Sequence, residues 1–104
     1  MEPVFTAVAD PTRRALLERL RTDGALSISD LAEGMPISRQ AITKHLDILR
    51  ASGLIRARRA GRERLHELDA APLREVEDWL RPYAEAWDAR LAVLRRHLGE
   101  DEER

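Results

Sequence analysis

The chain has 104 residues, no cysteine, 18 basic and 19 acidic side chains, and a formal net charge of −1. That length suits one domain with a single core, and the lack of cysteine excludes disulfides, thiolate metal sites and thiol redox switches. Residues 1–9 carry neither the basic nor the apolar region of a secretion signal, and no apolar run approaches the ~20 residues of a membrane span; a cytoplasmic protein with no membrane partner is expected.

Taken in chain order, Phe5 to Ala9 reads as a short apolar helix. Asp10-Pro11 then supplies an N-cap followed by proline at the first helical position, where its missing N–H costs nothing. The second helix places Ala15, Leu16 and Leu20 at apolar spacing, with Arg13, Arg14, Glu18 and Arg21 opposite, and stops at Thr22-Asp23-Gly24. Ser27 with Asp30 three residues on fits a capping box for a third helix over Ile28 to Glu33, with Leu31 and Ala32 inward and Gly34 closing it. Met35-Pro36-Ile37 cannot continue that helix, and Ser38 is placed to cap a fourth running to about Ser52. On a wheel of about 100° per residue, Ile42, Leu46 and Leu49 form a narrow stripe, while Arg39, Gln40, Thr43, Lys44 and Asp47 lie away from it. After Ser52-Gly53, Leu54-Ile55 opens a strand that pairs across Ala60-Gly61-Arg62 with a second strand, Arg64 to Leu68, giving a wing over residues 54–68.

From Pro72 to Leu98 the apolar residues Leu73, Val76, Leu80, Tyr83, Trp87, Leu91, Leu94 and Leu98 step by three or four without loss of phase. Because the phase survives Pro82, the spacing predicts one helix kinked there or two nearly collinear ones, spanning about 40 Å. Gly99 and the run Glu100 to Glu103 read as a frayed acidic tail over residues 99–104. The fold class expected is mainly α with a small β-hairpin, a winged helix-turn-helix over the whole of residues 1–104.

The near-neutral total conceals a strong asymmetry. Residues 1–34 hold 4 basic and 6 acidic side chains, residues 35–68 hold 8 and 3, and residues 69–104 hold 6 and 10, so the segments carry −2, +5 and −4. A phosphate backbone meets a surface patch and not a chain average. The positive segment is the fourth helix and the wing, and a helix bearing arginine, lysine and glutamine can pair with base edges in a major groove.

The ordered set Asp10-Pro11-Thr12-Arg13-Arg14, Ser27-Ile28-Ser29-Asp30-Leu31-Ala32, Ser38, Lys44-His45-Leu46 with Leu49, and Gly53-Leu54-Ile55 resembles the ArsR-type winged-helix repressors, over about Val4 to Leu98. The resemblance implies a homodimer joined through the first and last helices, binding a palindromic operator and repressing nearby transcription, often until an effector loosens it. It does not name that effector. Metal-sensing members carry cysteines where this chain has Ser27 and Ser29, which are poor ligands for soft metals. A second family site uses an Asp-x-His pair before a distal His and carboxylate; His97 and Glu100 share the distal spacing, but no Asp-x-His precedes them. No metal and no cofactor are therefore expected.

The residues expected at double-stranded DNA are Ser38, Arg39, Gln40, Thr43, Lys44 and His45 of the fourth helix, with Arg58, Arg62 and Arg64 of the wing. Ser38 also caps its own helix, and His45, beside the apolar stripe, packs or meets phosphate. Since strand residues alternate in facing, only some of Arg56, Arg58, Arg59, Arg62 and Arg64 can meet DNA together; basic residues there also protect strand edges. Val4, Phe5 and Val8 of the first helix and Tyr83, Trp87, Leu91 and Leu94 of the last are expected at the dimer interface, aromatic side chains supplying most of the area in such seams. The three histidines His45, His66 and His97 fall in different elements, with no nucleophile elbow or phosphate-cradling glycine loop, so catalysis is not expected. The alternative from another class is a winged helix that docks on an acidic protein partner without reading DNA.

Overall fold

The computed structural model describes residues 1–102, in the order α1 (Glu2–Val8), α2 (Pro11–Asp23), α3 (Ile28–Glu33), α4 (Arg39–Ala51), β1 (Ile55–Ala60), β2 (Glu63–Leu68) and α5 (Ala71–Glu102). It is a mainly helical winged helix-turn-helix with one two-stranded antiparallel hairpin. The chain divides into two compact units, residues 1–74 and residues 75 onward.

In the first unit the local signals act as the sequence predicts. Asp10 accepts from the Arg13 backbone N–H at 3.0 Å and caps α2. Ser27 and Asp30 form the reciprocal capping box of α3, at 3.1 and 3.2 Å. Ser38 Oγ accepts from the Ala41 N–H at 3.1 Å to start α4. Each cap satisfies a backbone donor that the helix leaves without a partner. The core is built from Leu16 and Leu20 of α2, Leu31 of α3, Ile42, Leu46 and Leu49 of α4, and Leu54-Ile55 at the wing base. Full burial of such side chains is worth about 1.5–3 kcal/mol each.

The wing is attached to this core through the backbone. Leu26 and His66 exchange N–H···O bonds of 3.0 and 2.8 Å as an isolated antiparallel bridge, and Leu26 directly precedes the cap of α3. At the far end Gly61 has φ +65° and Arg62 does not share the positive φ, so the two-residue loop Gly61-Arg62 follows the type II′ pattern, with glycine at its first position.

Two boundaries and one buried face differ from expectation. The first helix starts at Glu2 and not Phe5, because Pro3 sits in its first turn, where no N–H is needed. Ala15 is exposed, so the buried face of α2 is narrower than the spacing implied. The helix expected to end at Leu98 runs on to Glu102, with Gly99 in its interior and outside the left-handed region that ends helices, so no frayed tail begins there; Glu103 lies outside the described residues.

The second unit is α5 alone. It is continuous through Pro82, so the single-helix expectation holds. None of its described side chains is buried. Trp79 and Tyr83 sit one turn apart with ring centroids 5.4 Å apart, tilted by 52°, and Arg81 pairs with Glu77 and Asp78 on the polar side, at 3.5 and 2.9 Å.

Candidate nucleic-acid interface

Burying Ile42, Leu46 and Leu49 turns the opposite side of α4 outward, and Arg39, Gln40, Thr43 and Lys44 are all exposed there, next to the Ser38 cap. Thr43 Oγ1 donates to the Arg39 carbonyl at 2.9 Å. With its hydroxyl so occupied, Thr43 presents mainly its methyl. Neither Arg39 nor Lys44 has an ion-pair partner among the described residues, whereas Asp47, further along α4, is paired with Arg50 at 3.2 Å. The N-terminal part of the α4 outer face is thus cationic, while Asp47 and Arg50 neutralise each other further along.

His45 does not share that face. Its Nδ1 lies 3.4 Å from Arg13 Nη1 and 3.9 Å from Asp10 Oδ2, at the start of α2. The Arg13 backbone N–H holds the Asp10 carboxyl below its ordinary range against a partial desolvation, and the charges of Arg13 and His45 act in the same direction. The structure therefore places His45 apart from the other α4 residues expected at DNA, because its ring is already engaged inside the protomer.

The wing register decides which arginines can act together. Ile55 pairs with Leu68, Ala57 with His66 and Arg59 with Arg64 on one face; Arg56 pairs with Glu67 and Arg58 with Leu65 on the other. The expected trio Arg58, Arg62 and Arg64 is corrected accordingly: Arg58 lies on the face opposite Arg64, and it pairs with Glu67 at 3.5 Å. Arg56 is held by Glu67 and Asp69 at 3.7 and 3.9 Å. Arg59, and not Arg58, lies directly across from Arg64. Arg59, Arg62 and Arg64 have no carboxylate partner in the described residues. Like charges placed opposite each other across strands are unfavourable on their own, so a strip of this kind is suited to an external anion.

A cleft of about 240 Å³ is lined by Ser27 to Ser29 and Arg62 to Arg64. It is where the family resemblance would put the cysteines of metal-sensing members, and here it offers hydroxyls, guanidinium groups and the Glu63 carboxylate, none of which is a soft-metal donor. Among the described residues no group of three or more His, Asp or Glu is placed to hold a metal ion, and the Glu100 side chain lies outside the described residues. Nor is any helix in the described residues long and apolar enough to cross a membrane.

Of the residues expected at a dimer interface, Val4 is only 5% exposed and packs inside the first unit, leaving Phe5 at 40% and half-buried Val8 on α1. Val4 is thus a core residue: it points at the body of the protomer. On α5, Tyr83 and Trp87 are 63% and 58% exposed, Leu94 is exposed and Leu91 half-buried.

Sequence reasoning missed His66 and Arg13. His66 is 5% exposed, and neither ring nitrogen has a hydrogen-bond partner. Burial pushes its imidazole below the ordinary range, with Arg64 and Arg50 adding to the effect and Asp47 opposing it. Its strand position opposite Ala57, two residues from the buried end, is the signal that could have found it. For Arg13 a helical wheel points to solvent, and only its place in the set Asp10-Pro11-Thr12-Arg13-Arg14 marked it.

A helix-turn-helix with an outward cationic second helix and a wing with arginines free of carboxylate partners at and beside its tip defines a DNA-binding regulator. A helix-turn-helix domain model matches residues 8–58. The chain is 38% identical to an ArsR-like transcriptional regulator from Rhodococcus sp. RHA1, whose solved structure it matches with a TM-score of 0.73 over 91% of this chain and 89% of that one. It is 35% identical to the transcriptional repressor SdpR of Bacillus subtilis, over 77% of this chain and 88% of that protein. It is 43% identical to the HTH-type transcriptional regulator Rv2034 of Mycobacterium tuberculosis, a match that spans 66% of this chain and 64% of that protein's length. The chain belongs to the ArsR family of DNA-binding transcriptional regulators.

Proposed function

We propose that this chain is a cytoplasmic homodimeric repressor that binds a palindromic operator, each copy lowering α4 into one of two successive major grooves about 34 Å apart. Arg39, Gln40 and Lys44 supply the groups that pair with base edges, the Thr43 methyl fits a thymine methyl, and the α4 N-terminus at Ser38 faces a phosphate. Arg59, Arg62 and Arg64 of the wing reach flanking phosphates or a minor groove. The wing over residues 54–68 and the dimerisation helix over residues 72–98 serve a single functional module. The observation that carries this reading is the contrast within the basic segment: cations on the α4 outer face and at the tip end of the wing lack carboxylate partners among the described residues, while Arg50, Arg56 and Arg58 are neutralised.

The relatives named above are transcriptional regulators, a role that requires no catalysis, and no enzymatic step is assigned to the chain. Release from DNA follows either from an effector or from repressor level. The test is sequencing of genomic fragments retained by the purified protein at ~0.15 M salt, which screens weak surface attraction. Recovery of a short inverted repeat is expected; retention of DNA without a motif would favour the protein-docking alternative. With about six to eight phosphate contacts per dimer, log K should fall with log salt at a slope of roughly −5 to −7.

A further inference from the structure

Arg13 is occupied on all sides. Its Nε donates to the Ala7 carbonyl at 2.7 Å and its Nη2 to the Thr6 carbonyl at 3.0 Å, while Nη1 lies 3.4 Å from His45 Nδ1. Arg14 donates to the Val8 carbonyl at 2.7 Å. The carbonyls of Thr6, Ala7 and Val8 at the end of α1 are therefore held by α2, that of Thr6 also receiving the Ala9 N–H at 3.3 Å, and the Arg13 guanidinium touches α4 as well. Arginine offers donors in a rigid plane and no acceptor, so in a hydrogen bond at this contact it is the His45 Nδ1 that receives. One planar group thus spans the end of α1 and the second turn of α4.

We propose that Arg13 and His45 are positioning residues for DNA recognition: through one guanidinium they set the angle at which α4 presents Arg39, Gln40, Thr43 and Lys44. The inference rests on α4 being the reading helix. His45 directly follows Lys44 and sits on the protein side of the same turn, so a shift of α4 about this contact moves the reading face as a body. Paired hydrogen bonds to a base edge tolerate displacements of only about 0.5 Å or 10–20°. A contact to backbone phosphate, by contrast, survives a small rotation of the helix, because a long charged side chain readjusts.

The test uses the full chain and two DNA probes, a duplex that the wild-type protein selects from a randomised pool and the unselected pool itself. His45→Asn keeps an acceptor oxygen near the position of Nδ1; His45→Leu removes it at similar size; Arg13→Lys keeps the charge but loses the planar fork. His45→Leu and Arg13→Lys are each expected to lower the preference for selected over unselected DNA about tenfold, with unselected affinity and its salt slope unchanged. His45→Asn should keep the wild-type preference, and the His45→Leu, Arg13→Lys double variant should lose no more than either single one, because both cut one link. Equal losses on both probes would assign these residues to phosphate contact or general folding and overturn the proposal, as would additive losses. Unchanged preference in both variants while Lys44→Ala loses it would overturn the positioning role and leave α4 as reader. A wild-type protein that enriches no sequence, or a Lys44→Ala variant that loses nothing, defeats the reading of α4 itself.

Discussion

Residues 1–74 bury their apolar side chains against one another, and α5 from residue 75 onward buries none of its own, although its apolar stripe is the longer and more regular of the two. Leu16, Leu31, Ile42, Leu49, Leu54 and Ile55 are fully enclosed, whereas Trp79, Leu80, Tyr83, Trp87, Leu94 and Leu98 stay exposed. A strict 3–4 repeat from Leu73 to Leu98 of α5 is the pattern of a packed seam, and none of its side chains is buried. Local apolar periodicity therefore specifies a buried face without specifying whether the burying surface belongs to the same molecule.

The largest effect expected from breaking this contrast is on assembly. Trp87→Glu should weaken dimerisation by about 4 kcal/mol, the scale of a lost aromatic anchor, seen as a monomer by sedimentation and as loss of operator binding, while the unfolding of the first unit stays as in the wild type. Leu49→Ala should do the reverse. It removes a fully enclosed side chain and should cost about 3 kcal/mol in urea unfolding, leaving the dissociation of folded dimers unchanged.

His66 gives a smaller effect confined to the first unit. Because its folded pKa lies below the unfolded value of about 6.5, the unfolded chain takes up a proton that the native state refuses as pH falls through that value. Stability should therefore decline from about pH 6.5 down to the depressed folded pKa and level off below it. His66→Leu should flatten that part of the curve and raise neutral-pH stability by about 1 kcal/mol, since two unpartnered buried nitrogens are removed; a steeper decline in the variant would refute this. The smallest effect separates the two wing faces. Arg59→Gln should reduce the salt slope of DNA binding by about one, whereas Arg58→Gln, which breaks only an exposed pair with Glu67, should leave the slope unchanged and shift stability by less than about 1 kcal/mol.

What could be read from the sequence follows from how local each signal is. Asp10, Ser27 with Asp30, and Ser38 announce their helices because a cap is satisfied within three residues, and Gly53 and Gly61 mark stops for the same reason. The phase of α5 is local too and was legible, whereas its continuity through Pro82 was left open between one kinked helix and two collinear ones, because phase survives in both. The outer face of α4 followed directly from its apolar stripe. The facing of the wing arginines was not legible, because strand register depends on where the turn falls, and moving the assignment by one residue exchanges Arg58 for Arg59. Nor could the role of Arg13 or the orientation of His45 be read, since both are set by contacts between elements, α2 with α1 and α4. Val4 misled because a seven-residue helix has too few turns to show which of its apolar residues face inward.

The unpartnered wing arginines also bear on how such a regulator changes over generations. Arg59, Arg62 and Arg64 have no ion-pair partner in the described fold, so on the proposed reading a single codon change at any of them would alter the wing's contact with flanking DNA without breaking an ion pair of the scaffold. Arg19 is under the opposite restriction. Its guanidinium bonds the Leu31 and Asp30 carbonyls at 3.0 and 3.2 Å and lies where a Cβ on Gly34 would come within 2.5 Å of it. Two arginine populations in one small protein thus differ in mutational freedom, and a lineage can drift to new operators through the wing while the arginines of α2 hold the frame still.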